Sequence, residues 1–236
     1  MEGKVGKVIT IKNNKGGVGK TFITTQLAAG LAYGDKKVLI LTSDPQNNVF
    51  NFLFKGDKTF KKGLKAEVLK KDGEYFRLRS NLYFLPLEDV KFSNQFLKEI
   101  VKFIERVKDE FDYILIDSIP TLKIDEIFLE LSDDIIIPSY ADELTTESIL
   151  ELLKTIDVSK VKAIVTNRYK SSSSVHKTNY TELKNDLDGT PILFTAPIES
   201  LTFIELMIQN RKTIWEYNNA TAKKVQNIFL EILKVI

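Results

Sequence analysis

Lys15-Gly16-Gly17-Val18-Gly19-Lys20-Thr21 lies between an apolar run, Val8-Ile9-Thr10-Ile11, and a stretch of helical character from Phe22 to Tyr33. A strand, a glycine-rich turn and a helix start, in that order, form a cradle for phosphate. Backbone N–H groups at such a turn have no partner within the helix, and the helix dipole favours negative charge there. In this kind of loop Lys20 reaches the outer phosphates and the Thr21 hydroxyl ligates magnesium. The general phosphate-loop pattern separates its first glycine from the closing Gly-Lys-Thr by four residues. Here that position is Asn14, and a second lysine, Lys15, follows it. The plain alternative, a glycine-rich turn with two solvated lysines, has the flanking strand and helix against it.

Working outward, a chain of 236 residues suits one large α/β domain with a sizeable core. There is no cysteine, which excludes disulfides and cysteine-ligated metal. That agrees with a cytoplasmic setting. The segment Met1-Glu2-Gly3-Lys4 runs straight into the first apolar stretch, so no signal peptide is expected, and no apolar run is long enough to span a membrane. A formal net charge of +2 gives no overall argument for nucleic acid. Residues 55–79 hold nine basic and four acidic side chains, and this stretch reads as a solvated surface segment rather than a binding patch.

Strand-like runs recur at Val8–Ile11, Val38–Thr42, Leu82–Leu85, Tyr113–Ile116, Asp134–Ile137, Val161–Thr166 and Ile192–Thr195. Several are near-continuous Val, Ile and Leu, the mark of strands buried on both faces. Between them, Ser93 to Val107, Leu144 to Ile156 and Thr181 to Leu187 carry helical spacing. Alternation of this kind predicts an α/β fold: a mainly parallel sheet covered on both sides. Ser171–Ser174 reads as a mobile loop. The last helix, Ala220 to Ile236, presents one apolar stripe (Val225, Ile228, Phe229, Ile232, Ile236), which suits packing on the sheet better than a membrane anchor.

Ligands of open α/β sheets bind beyond the carboxyl ends of the strands. Polar residues follow the strands there. After Val38–Leu41 comes Thr42-Ser43-Asp44-Pro45-Gln46-Asn47-Asn48, in which Asp44-Pro45 is at the least a turn. Asp117 ends the run Phe111–Ile116, where a carboxylate can hold magnesium opposite the phosphate loop. Asn167-Arg168-Tyr169 follows Val161–Thr166, and Pro197-Ile198-Glu199 follows Ile192–Ala196.

These motifs together resemble the ParA/MinD family of deviant Walker A ATPases, and most of all the small ParA/Soj-type partition proteins. The resemblance runs over nearly the whole chain, including Ile137-Pro138-Ser139-Tyr140-Ala141 and Ile214-Trp215-Glu216-Tyr217. It implies a single P-loop NTPase-like domain over residues 1–236, with a twisted sheet of about seven or eight strands. It implies ATP and Mg2+ as cofactors. Gly16, Gly17, Val18, Gly19, Lys20, Thr21 and Phe22 would hold the nucleotide, Thr21 and Asp117 the magnesium, and Asp44 the attacking water. Lys15 would touch the nucleotide of a second subunit, so that ATP joins a homodimer. Asn167 would meet the adenine edge, with Pro197 beside it.

By the same resemblance the dimer binds DNA without sequence preference and answers to a ParB-like centromere-binding partner in plasmid or chromosome partition. It would be cytoplasmic, on the nucleoid when ATP-bound, with no membrane partner. Arg211, Lys212, Lys223 and Lys224 are the candidate DNA contacts, and ordinary solvated cations the alternative. Four positions depart from the family. Phe22 stands where a Thr or Ser hydroxyl contacts the α-phosphate, and Thr42 replaces the first aspartate of Asp-x-Asp-Pro-Gln-Gly-Asn. Asn47 replaces its glycine, and Ile119 replaces a proline, while Pro120 and Leu122 match. The rival readings are a MinD-like or other cargo-positioning ATPase, and a nucleotide-binding adaptor with little turnover.

Overall fold

The computed structural model describes residues 5–119 and 123–236; Pro120 and Leu122 of the matched motif, and Met1–Lys4, lie outside them. Eight strands form one sheet: β1 (Lys7–Ile11), β2 (Val38–Thr42), β3 (Phe76–Arg79), β4 (Leu82–Leu85), β5 (Tyr113–Asp117), β6 (Asp134–Ser139), β7 (Val161–Thr166) and β8 (Leu193–Phe194). Their order is β3-β4-β2-β5-β1-β6-β7-β8. Every pairing is parallel except β3 with β4. The five central strands, β2, β5, β1, β6 and β7, are almost wholly buried, as their unbroken apolar runs require.

The helices are α1 (Lys20–Tyr33), α2 (Val49–Leu53), α3 (Leu64–Lys70), α4 (Asn94–Glu110), α5 (Lys123–Leu131), α6 (Glu143–Thr155), α7 (Ser174–Asp186), α8 (Thr202–Gln209) and α9 (Ala220–Leu233). α1 and α9 pack one face of the sheet in a core that includes Ile9, Ile11, Ile40, Leu115, Phe22, Leu27 and Phe229. α4 and α5 pack the other, with Val8, Leu39, Leu41, Ile114, Ile116, Phe96, Phe103 and Phe128. α6 and α7 extend that second layer over β6 and β7. Successive residues of β1, β2 and β5 thus alternate between the two cores, as the pleat dictates.

α4 shows how locally the helices are specified. Ser93 caps it, its hydroxyl accepting from Phe96 N, and Phe96, Ile100, Phe103, Ile104 and Val107 fall on the buried stripe. α1 is buried nearly all round, because it lies under α9 and against the sheet centre. The last helix packs on the sheet, as its stripe suggests, and ends at Leu233.

One expectation is refined and one corrected. Residues 55–79 are largely solvent-facing, as expected, with none of the nine cations buried, and they also hold α3 and the edge strand β3. In β3, Phe76 and Leu78 turn to the core and Arg77 is exposed; a register shift between Arg77 and Arg79 lets the Arg79 guanidinium reach Leu53 O and Arg211 O. The serine run is no loop throughout. Ser173 caps α7, accepting from His176 N at 3.3 Å, and Ser174 is its first residue.

Register sets up the site. Ile11 and Thr42 both pair with Asp117 across the adjacent strands. The phosphate loop, the Asp44 turn and Asp117 therefore leave the sheet at the same level, on the carboxyl edge of its centre.

Candidate nucleotide site

The loop from Lys12 to Gly19 joins β1 to α1 with left-handed backbone at Gly17 (φ 77°) and Gly19 (φ 94°). Side chains rarely adopt that geometry, and a Cβ on Gly19 would also sit 2.1 Å from Asn167 Nδ2. The loop is braced from behind. Asn13 Nδ2 donates to Pro138 O (2.7 Å), and Asn13 Oδ1 accepts from Lys15 N (2.8 Å) and Ser148 Oγ (3.2 Å). Tyr140 donates its hydroxyl to Gly17 O.

Lys20 lies curled over this loop, its Nζ donating to Asn13 O (3.0 Å) and Lys15 O (2.9 Å). Burial lowers its pKa, and Asp117 works against that. Thr21 donates to Asp117 Oδ2 at 2.7 Å. Burial raises the Asp117 carboxyl to about 7, against the Thr21 hydroxyl and Lys20, which pull it down. The Thr21 hydroxyl and the Asp117 carboxylate are an oxygen pair of the kind a hard divalent cation takes with water. A cation there would also satisfy a buried charge that the low-polarity surroundings disfavour.

Asp44 faces the same space. Its carboxylate accepts from Gln46 N (2.8 Å) and Asn48 Nδ2 (3.1 Å). Asn47 has φ 49°, the left-handed geometry its place in the motif requires, and its amide bonds Pro45 O, Leu87 O and Leu87 N. Thr42 ties the two acidic turns together, its hydroxyl donating to Asp117 O (3.1 Å) and accepting from Asp44 N (3.0 Å). A carboxylate at that position could accept but not donate. Ser43 adds a second tie, accepting from Ile119 N (2.8 Å) and donating to Asp125 Oδ1 (2.6 Å).

These residues line an open cavity of about 310 Å³ that includes Gly16, Gly19, Lys20, Thr21, Asp44 and Asp117. A smaller cavity of about 90 Å³ adjoins it and shares Gly19, Phe22, Phe52 and Arg168. Asn167, Leu201, Ile204 and Ile208 add to its wall, with Glu199, Ser200 and Glu205. The first gathers the turn of the glycine loop, Lys20 and the two carboxylates, the groups a phosphate and its cation use; the second sets Phe22, Phe52 and the α8 isoleucines where a flat base can lie. Asn167 is buried, with Nδ2 pointing to Val18 O at 3.4 Å. Val18 is fully buried and gives the site only its backbone. Phe22 is also buried, its ring edge-on to Phe229 at 5.9 Å.

Pro197 does not line either cavity; Glu199, Ser200 and Leu201 from the same loop do. Lys15 points away from the phosphates, its Nζ 2.7 Å from Asp142 Oδ1 at the start of α6. Of the candidate DNA contacts, Lys223 and Lys224 are exposed on α9. Arg211 and Lys212 sit in the turn after α8, with Lys212 Nζ 5.3 Å from the Tyr217 ring centre. The sequence reading missed Arg168, Phe52, Ile204 and Ile208. The i, i+4 spacing of the two isoleucines was the available signal.

Glycine-rich loop, carboxylates at neighbouring strand tips and adjoining base-sized cavity define a P-loop protein. Comparison with known proteins narrows this: the family described as AAA domain is matched over residues 6–169, and the chain belongs to the ParA/MinD family of Walker-type ATPases. It is 31% identical to the sporulation initiation inhibitor protein Soj of Bacillus subtilis over 166 residues, 64% of this chain and 65% of Soj. The alignment thus spans less than two thirds of Soj. Among solved structures, an ATP complex of Cyanothece McdA superposes with a TM-score of 0.80 at 18% identity, covering 99% of this chain and 98% of that one. A plasmid partition protein of Borrelia burgdorferi B31 bound to AMPPNP gives 0.75 at 26% identity, covering 98% and 100%. Among the described residues no helix is long and apolar enough to cross a membrane.

Proposed function

We propose that this chain is a ParA-like ATPase. It binds ATP with Mg2+ and hydrolyses it slowly, dimerises in the ATP state, and binds DNA without sequence preference. A ParB-like DNA-binding partner stimulates it in plasmid or chromosome partition. The observation that carries the reading is the convergence of the Gly16–Thr21 loop, Asp44 and Asp117 on one cavity, with a second lysine, Lys15, at the start of that loop held by Asp142.

The chemistry is phosphoryl transfer from ATP to water, which asks for positioning and charge stabilisation. Lys20 leaves the loop carbonyls for the phosphates. Thr21 and Asp117 would hold the magnesium ion, which would supply neutralising charge beside the phosphates. Asp44, fixed by Gln46 N and Asn48, accepts a proton from the water or orients it. Lys15 must leave Asp142 to reach a second subunit. Their ion pair is partly solvated, 29% and 39% exposed, and such pairs are worth only about 0–1 kcal/mol, so nucleotide phosphate can displace it. Two bound nucleotides then join two subunits about a two-fold axis.

The likeness to a plasmid partition protein supports the partition reading, and cargo positioning is the second reading. Phe22 and Thr42 support a third, an adaptor with little turnover. Light scattering with ATP and Mg2+ should show a dimer for the wild type and a monomer that still binds ATP for Lys15→Ala. A Lys15→Ala dimer would overturn the role across subunits. Anisotropy on random duplex DNA separates partition from the rivals: binding should need ATP and fall with salt.

A further inference from the structure

The fold joins basic residues that the sequence keeps apart. Lys55 follows α2, Arg77 and Arg79 lie on edge strand β3, and Arg211 and Lys212 form the turn after α8. All five line one open groove of about 390 Å³. Glu216 is its one acidic neighbour, and it is already engaged by Arg79 (3.1 Å) and by Thr213 N.

The five cations divide by role. Arg79 is a strut: its guanidinium donates to Leu53 O (2.8 Å), Leu78 O (2.6 Å) and Arg211 O (2.6 Å), fastening the three walls together. Arg211 has φ 57° and donates to Ile208 O (3.1 Å), which sets the turn that presents Lys212. Lys55, Arg77 and Lys212 are exposed and, among the described residues, none has a carboxylate partner. Three exposed cations without a carboxylate partner on one groove concentrate positive potential there, which draws a polyanion.

We propose that this groove is the surface that seats the phosphate backbone of duplex DNA, with Lys55, Arg77 and Lys212 as the contacting residues. The proposal rests on the DNA-binding reading above and says where on the molecule that binding happens. It keeps Lys212 among the contacts the sequence suggested, leaves out Lys223 and Lys224, and adds Lys55 and Arg77 from the stretch 55–79 that reads as solvated. The competing account is that Arg77 only guards the open edge of β3 against pairing with other strands. That account leaves Lys55 and Lys212, from other segments, unexplained.

The test is DNA affinity as a function of salt, with ATP analogue and Mg2+ present, on random duplex DNA. Each phosphate contact contributes about 0.9 to the log–log salt slope. The triple variant Lys55→Gln, Arg77→Gln, Lys212→Gln should lower the slope by about 3 and keep its nucleotide affinity and dimerisation. A matched triple on α4 and α7, Lys98→Gln, Lys177→Gln, Lys184→Gln, removes the same charge from exposed helix positions and should keep the slope. Equal slopes for wild type and the groove variant would overturn the groove while leaving DNA binding intact. Equal losses in both triples would overturn it too, since binding would then follow net charge. Absence of binding by the wild type at low salt would overturn both the groove and the DNA-binding reading.

Discussion

The two halves of the nucleotide cavity are built on opposite plans. The phosphate half is made mostly by the loop after β1, Gly16 to Thr21, with Asp117 from the adjacent tip of β5 and Asp44 from the tip of β2 beyond it. The base half is made by side chains from distant places: Phe52 of α2, Arg168 after β7, and Ile204 and Ile208 of α8. A phosphate is recognised by N–H groups and a dipole that a short sequence can fix. A base is recognised by the shape of an apolar slot, which only the finished fold defines. The first half should therefore be brittle to single changes and the second forgiving.

The largest break falls on Lys20. Its Nζ bonds two loop carbonyls now and would bond phosphate oxygens in the complex. Charge-assisted bonds are worth roughly 1.5–3 kcal/mol each, so losing two costs at least about 100-fold in affinity. Calorimetry on Lys20→Ala should show no ATP binding at concentrations that saturate the wild type. Residual binding within tenfold of wild type would mean that the base half carries the affinity, reversing the comparison.

Gly19 comes next, because it belongs to both halves. Gly19→Ala meets left-handed strain, roughly 1–3 kcal/mol, and a collision with Asn167 Nδ2. ATP affinity should fall about tenfold or more, with a lower melting temperature. Adding Asn167→Ala removes the collision but not the strain, so the double variant should recover only part of the loss. Full recovery would show that the loop tolerates the side chain and that the two halves merely touch.

The same contrast explains what could be read in advance. The seven strands named from Val8 to Thr195 are all present, since buried parallel strands announce themselves as unbroken apolar runs. The edge strand β3 was hidden by its charges, although Phe76 and Leu78 alternate with Arg77 and Arg79 as a half-buried strand should. α3 is too short for its periodicity to show; the Glu88 carboxylate fixes its start, accepting from Gly63, Lys65 and Ala66 N. α7 begins inside a serine run because one of those serines caps it. In the site, Lys15 through Thr21, Asp44 and Asp117 were legible as strand-tip motifs. Arg168 and the α8 isoleucines were not: the i, i+4 spacing marks Ile204 and Ile208 as one helix face but does not say that α8 closes over the end of α2. Asp142 as the resting partner of Lys15 lies 127 residues away and had no signal at all.

The smallest effect is expected at Phe22, where the two halves share a residue, and it cuts both ways. Its ring fills space against Phe229, so Phe22→Thr should cost about 3 kcal/mol of stability, in the range for large-to-small core changes. The same change supplies a hydroxyl at the first turn of α1, beside the phosphates. One added bond to a charged oxygen is worth at most about 1.5–3 kcal/mol, and part of that is lost if the emptied slot lets the loop shift. ATP affinity should rise by less than tenfold while the melting temperature drops. Phe22→Leu separates the contributions: it loses packing without gaining a donor, and should lower the melting temperature with no gain in affinity. If Phe22→Thr gained nothing over Phe22→Leu, the α-phosphate in this protein would already be held by backbone N–H groups. The family's hydroxyl would then be dispensable, and the ring at position 22 would belong to the base half alone.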